Sequence, residues 1–207
     1  MSKKVILVGG FHEIIEICEL NNIEIVGIID PRGIGEYRDY PIIGTDKDIR
    51  KVKEEYKDVP VFISPDSPRI RRELSILYEK ENFNFMSLIH PHAMVSNSVK
   101  IGKGVVIQAG ASVSCCSTIG DFVKVNTRAN ITHDVHIHEF STIAPSAVIL
   151  SSSIIHPGCY IGSNATILSN KVIFSDATVG AGAVVTKDVA NQTIVIGNPA
   201  RRYENTH

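Results

Sequence analysis

The sequence of 207 residues contains no tryptophan, and only 6% of it is aromatic. A core assembled from large rings is thereby excluded, so burial must rest on aliphatic side chains. Neither sign of charge is in excess: 21 Lys and Arg face 22 Asp and Glu, for a net charge of −1. No strong field exists to gather nucleic acid or an anionic membrane surface, and neither is expected as a partner. No apolar run is long enough to cross a bilayer, and the opening MSKKVILVGG lacks the pattern of a cleavable signal. The four cysteines, Cys18, Cys115, Cys116 and Cys159, form no CxxC pair. They read as small hydrophobes in a reduced, cytoplasmic setting rather than as a disulfide framework.

What is present is Ile and Val, in a strict period. From Ile89 to Val185 one of the two occupies every sixth position, seventeen times in succession. Four residues after each stands Ala, Val, Ser or Cys, with Lys171 the one exception. A six-residue period of β-branched and small residues is the mark of hexapeptide repeats and predicts a parallel β-helix. Three hexads then make one triangular coil of about eighteen residues, and coils stack at about 4.8 Å. The Ile or Val points into the prism, and the residue four places on must be small enough to share it. Bulky rings would not fit there, consistent with so few in the repeat: Phe122, Phe140, Tyr160 and Phe174.

The first 85 residues read differently. KKVILVGG is a strand entering a glycine turn, and FHEIIEICELNN is a helix ending at Asn21-Asn22. IEIVGIID is a second strand closing on Asp30, PRGIGEYRDYPIIGTDKDI is turn-rich, and DKDIRKVKEEYK suits a helix capped by Thr45 or Asp46. VPVFIS is a third strand, and SPRIRRELSILYEKEN a helix with a basic, then acidic, outer face. Alternating strand and helix argues a small parallel α/β sheet. Its ligand belongs at the carboxyl ends of the strands, near Gly9, Gly10, His12 and Asp30.

A short Rossmann-like domain (1–85) leading into a hexapeptide β-helix with a C-terminal tail (86–207) resembles the bacterial sugar acyltransferases. These act on nucleotide-activated amino sugars or sialic acids. The stretches that carry the resemblance are LIHPHAMVSNSVKIGKGV, VNTRANITHDVHIHEFSTIAPSAVI, ATVGAGAVVTKDV and IVIGNPARR. The resemblance implies that the helix is left-handed, an exception to the usual hand of parallel crossovers. It further implies an acetyl-CoA-dependent acetyltransferase without a metal. The acceptor would be the amino group of a nucleotide-linked 4-amino-4,6-dideoxy sugar, and the assembly a homotrimer with sites between subunits.

By the same resemblance His133 is the general base, in an Asn126…His133-Asp134 stretch, with Asp134 orienting the ring. Imidazole titrates near neutral pH and can take the proton an attacking amine must lose. Adjacent residues on a strand face opposite ways, so this pairing requires a turn at a coil corner. Ser151, one coil on, would supply a backbone N–H to the thioester oxygen, at a position where the family often has Gly. Gly180 and Gly182, with Ala181 and Ala183, would form a flat surface for CoA, and Arg201 and Arg202 would meet its phosphates. Gly9, Gly10, His12, Asp30 and Asn126 would bind the sugar nucleotide. The front turn, Val8-Gly9-Gly10-Phe11-His12, is shorter than the family's G-x-G-G-H, and Thr142 stands where many relatives have His. Three other readings remain open: a sialic acid O-acetyltransferase with the same base, a trimeric sugar-nucleotide-binding scaffold, and a zinc-dependent carbonic anhydrase. The last would draw on His133 and His138 but finds no usual third ligand near Asn97 or Gly102.

Overall fold

The computed structural model describes residues 3–204. The chain divides into two compact units, one ending at Pro91 and the next beginning at His92.

The first unit is built on β1 (Lys4–Val8), α1 (His12–Leu20), β2 (Glu24–Ile29), β3 (Glu36–Tyr37), β4 (Tyr40–Gly44), α2 (Ile49–Glu55), β5 (Val61–Ile63) and α3 (Pro68–Lys80). The sheet order is β3-β4-β2-β1-β5, with β4, β2, β1 and β5 parallel and β3 antiparallel to β4. Val5 to Val8 and Val61 to Ile63 are buried, as strands covered on both faces require. One strand is a surprise: the turn-rich stretch after Asp30 contains the hairpin of β3 and β4, which adds β4 to the edge of β2. Two side chains also depart from expectation. Asp48, not Thr45 or Asp46, precedes α2, and its carboxylate turns back to accept from Thr45 N (2.9 Å) and Oγ1 (2.7 Å). Arg71, expected on the outer face of α3, is fully buried and donates to the carbonyls of Pro65 (3.0 Å) and Asp66 (2.6 Å). Both bonds come from Nη1; burial pushes the guanidinium down to about 10, still charged at neutral pH.

The first unit continues past Phe85 because its backbone bonds do. Phe85 bridges to Val61, Met86 N donates to Val61 O, and Asn21 Nδ2 donates to Ile89 O. Ile89, the first of the seventeen periodic residues, is accordingly 38% exposed and not in the prism core.

In the second unit, two-residue strands recur every six residues, from Met94–Val95 to Val184–Val185, in three parallel stacks. Register is one coil throughout: Lys124 pairs with Thr142, and Val125 with Ile143. Parallel stacks of this kind fit a left-handed β-helix. Ile107 to Val185 are buried at every period, with Ala, Val, Ser and Cys packed between them. The buried serines are not unsatisfied. Ser117 Oγ donates to Thr132 O (2.9 Å) and accepts from Val135 N (3.1 Å), and Ser141 repeats the pattern with His156 O and Cys159 N. Such bonds cancel the burial cost of the hydroxyl.

Corners obey an equally strict rule. From Gly104 to Gly182 the fourth residue of every hexad has positive φ, between 57° and 73°. Most of these turn residues are Gly, Asn, Asp or Ser, but Cys116, Phe122, Arg128 and Phe140 also adopt the conformation. Tyr160 lies on a strand, and the phenyl rings of the repeat lie on the corners: Phe122 stacks on Phe140 at 5.2 Å, and His138, His156 and Phe174 form a column at 5.3 and 5.2 Å.

Candidate active site

Each coil has three corners, and their stacks form three edges of the prism. Residues 126–129 and 180–183 lie on the first edge, 114–117, 132–135 and 150–153 on the second, and 138–141 and 156–159 on the third. The second edge carries His133. Asp134 occupies the left-handed position of that corner (φ 59°), so two consecutive side chains turn to the same side. His133 Nδ1 and Asp134 Oδ2 are 2.7 Å apart. A carboxylate accepts only, so Nδ1 carries the proton and Nε2 is left to act as base. Both side chains are more than half exposed, open to a ligand.

The coil above brings Ser151 and Ser152 over this pair, with Ser152 N donating to His133 O at 3.3 Å. Ser151 sits at a corner position whose amide is not used by the ladder, and among the described residues its N–H donates no hydrogen bond. Its hydroxyl meets Ser169 Oγ at 3.2 Å. The coil below brings Cys115 and Cys116, and Asp134 N donates to Cys115 O at 3.1 Å. These two cysteines, read from the sequence as small packing hydrophobes, are both exposed, at an interval of eighteen from His133-Asp134.

Asn126, Gly180 and Gly182 all fall on the first edge, one side of the triangle away from His133. Asn126 is nearly buried. Gly182 has φ 67° and open space around its missing Cβ. At Gly180 the space is taken, since a Cβ would come within 2.7 Å of Ile196 Cγ2, and Ala183 faces the core. The flat surface expected over residues 180–183 therefore reduces to the exposed Ala181 and Gly182. Arg201 is exposed and lies with Lys187 and Arg202 around a pocket of about 350 Å³ floored by Val185, Val189 and Val195.

In the first unit the carboxyl ends of β1 and β2 gather the expected Gly9, Gly10, His12 and Asp30. Two unexpected residues join them. The Tyr37 ring packs against Gly10 so closely that a Cβ there would lie 2.6 Å from its Cγ, and it lies 5.3 Å from the His12 ring. Arg32 lies over the same ring at 5.6 Å and donates Nε to Asp30 Oδ1 at 2.8 Å. That hydrogen bond holds the Asp30 carboxyl below its ordinary range. Tyr37 was invisible as a partner because the hairpin that delivers it was itself unrecognised, whereas Arg32 reaches Asp30 from only two residues away. Among the described residues, no group of three or more His, Cys, Asp or Glu could hold a metal ion.

No protein-family model matches this chain, and no curated protein does. Solved structures do. Perosamine N-acetyltransferase from Caulobacter crescentus, in complex with CoA and GDP-perosamine, is 26% identical over 99% of this chain and 98% of that one, with a TM-score of 0.93. The acetyltransferase domain of PglB from Neisseria gonorrhoeae, in complex with acetyl coenzyme A, is 30% identical over 98% of this chain and all of that one, with a TM-score of 0.90. The chain belongs to the hexapeptide-repeat sugar acyltransferases. WeeI from Acinetobacter baumannii shares 25% identity over 98% of the chain, with a TM-score of 0.85. This sugar acyltransferase is an acetyltransferase.

Proposed function

We propose that this acetyltransferase moves the acetyl group of acetyl-CoA to the amino group of a nucleotide-activated 4-amino-4,6-dideoxy sugar. The observation that carries this is the His133–Asp134 pair at 2.7 Å, on a chain similar along nearly its whole length to perosamine N-acetyltransferase. His133 Nε2 takes the proton as the amine nitrogen attacks the thioester carbonyl, and Asp134 stabilises the imidazolium that forms. The Ser151 N–H meets the developing oxyanion. Collapse breaks the C–S bond, and the CoA sulfur leaves with the proton returned from His133. No acyl-enzyme is required.

The first unit, on this reading, is a Rossmann-like nucleotide domain, with Gly9, Gly10, His12 and Asp30 receiving the sugar nucleotide beside Arg32 and Tyr37. Arg201 and its neighbours receive CoA phosphates. A homotrimer joins the first edge of one subunit, with Asn126, Gly180 and Gly182, to the second edge of the next. Among the described residues no helix is long and apolar enough to cross a membrane, and we place the enzyme in the cytoplasm, where its thiols stay reduced. The test is CoA thiol release from acetyl-CoA against UDP-, GDP- and dTDP-linked 4-amino sugars. Turnover on one of them should fall by about 10²–10⁴ in His133→Ala, the usual contribution of a general base. Turnover retained in His133→Ala, or no binding of acetyl-CoA by the wild type, would overturn it.

A further inference from the structure

Cys115 and Cys116 stand on the second edge, one coil below His133 and Asp134. Cys116 takes the left-handed corner conformation (φ 61°), the geometry that turns Asp134 toward His133 (φ 59°). Two consecutive thiols therefore share one side of the corner, as the imidazole and carboxylate do above them. The corner is held from both neighbouring coils: Cys116 N donates to Ser98 Oγ at 3.1 Å, and Cys115 O accepts from Asp134 N at 3.1 Å. Both residues are exposed, whereas Cys18 and Cys159 are buried. The neighbouring Cys115 thiol, ahead of desolvation, pushes the Cys116 thiol up.

Adjacent residues have Cα atoms about 3.8 Å apart, short of the 4.4–6.8 Å at which disulfides form without strain. The pair is poorly placed for a direct S–S bond. It suits instead a single soft atom that bridges two sulfurs.

We propose that Cys115 and Cys116 form a two-thiol capture site for trivalent arsenicals and kindred bridging electrophiles, and that its occupation blocks His133. With phenylarsine oxide the step balances without redox change. Both S–H bonds break, two As–S bonds form, the oxide oxygen leaves as water with the two protons, and arsenic remains trivalent. The adduct stands one coil, about 5 Å, from the imidazole. The phenyl group then fills space the acceptor amine needs to reach Nε2.

Capture itself is independent of the acetyl-transfer reading; only the inhibition rests on it. Intact-protein mass after treatment with phenylarsine oxide should show one phenylarsenic group per chain in the wild type, surviving desalting and removed by 2,3-dimercaptopropanol. Cys115→Ser and Cys116→Ser should each lose it. Serine is at home at the second position, since Ser146 and Ser152 already adopt the same conformation on other corners. Thiol release from acetyl-CoA should be lost in the treated wild type and restored by the dithiol, while both variants keep turnover under treatment. No adduct on the wild type, or an adduct retained by either variant, would overturn the site. An adduct that leaves turnover intact would overturn the block on His133. An untreated enzyme silent on every acceptor would fail the acetyl-transfer reading alone, since the adduct mass still decides the thiol site.

Discussion

His133 gains its orientation from a neighbour that, on a straight strand, would point the opposite way. Asp134 can reach Nδ1 at 2.7 Å only because its backbone has positive φ, which Asp and Asn tolerate better than most residues. Asp134→Asn should therefore keep the corner but lose the charge proposed to stabilise the imidazolium. Turnover should drop with acetyl-CoA affinity unchanged, and Asp134→Val should in addition destabilise the fold by about 1–2 kcal/mol through strain at this φ. Denaturant midpoints measured beside turnover separate the two effects. The Asp30 carboxylate offers a second residue-level test. Its hydrogen bond from Arg32 keeps it ionised to lower pH than an ordinary aspartate. The folded-state value is depressed, so the linked stability is present above the usual carboxylate range and is lost as pH falls through the folded value. Arg32→Ala should return the Asp30 titration, followed by carboxyl NMR, toward the ordinary range and remove that part of the acid sensitivity.

At the scale of the element, the six-residue unit imposes two different demands on glycine. Gly162 lies where coils touch: a Cβ would come within 2.6 Å of Ala181 N, 2.7 Å of Val179 O and 2.8 Å of Gly180 C. All three are backbone atoms, so Gly162→Ala should cost about 1–3 kcal/mol as an overpacked site, read from the urea midpoint. Gly182 is needed only for its φ of 67°, with nothing within 4 Å of the absent Cβ. Gly182→Asn should accordingly be near neutral in the same assay, as Asn164 and Asn170 hold the equivalent turn elsewhere. The period was plain in the sequence because every hexad repeats one local solution: a β-branched residue inward, a small residue sharing the prism, a left-handed corner. The hairpin of β3 and β4 was not. Its β4 strand pairs with β2, a non-periodic contact that composition does not announce.

For the molecule as a whole there are two cores: the first unit buries Phe62 and Tyr78 among its aliphatic residues, whereas the β-helix is filled by a continuous column of small and aliphatic side chains from Ile107 to Val185. Ile143, fully buried at mid-column, should cost about 2–5 kcal/mol on replacement by Ala, because stacked coils cannot collapse into the cavity. The arrangement of the edges sets a harder question. Asn126 and His133 are seven residues apart in sequence yet lie at different corners of the prism. If the proposed trimer completes the site across subunits, co-expressed His133→Ala and Asn126→Ala chains should recover activity that neither has alone. Mixed assemblies with no recovery would place each site within a single chain.

The sequence alone determined the β-helix and its eighteen-residue coil, since a periodic local rule leaves its trace at every repeat, while His133 stood out only through the family resemblance of its stretch. It also implied the turn that pairs His133 with Asp134, because the chemistry demanded a corner there. Only the tertiary structure carried Tyr37 onto Gly10, buried Arg71 against two carbonyls and left Cys115 and Cys116 exposed. Each of these depends on which segments meet across space. Such contacts are won by backbone pairing and shape, and they are decided after the pattern along the chain has already been satisfied.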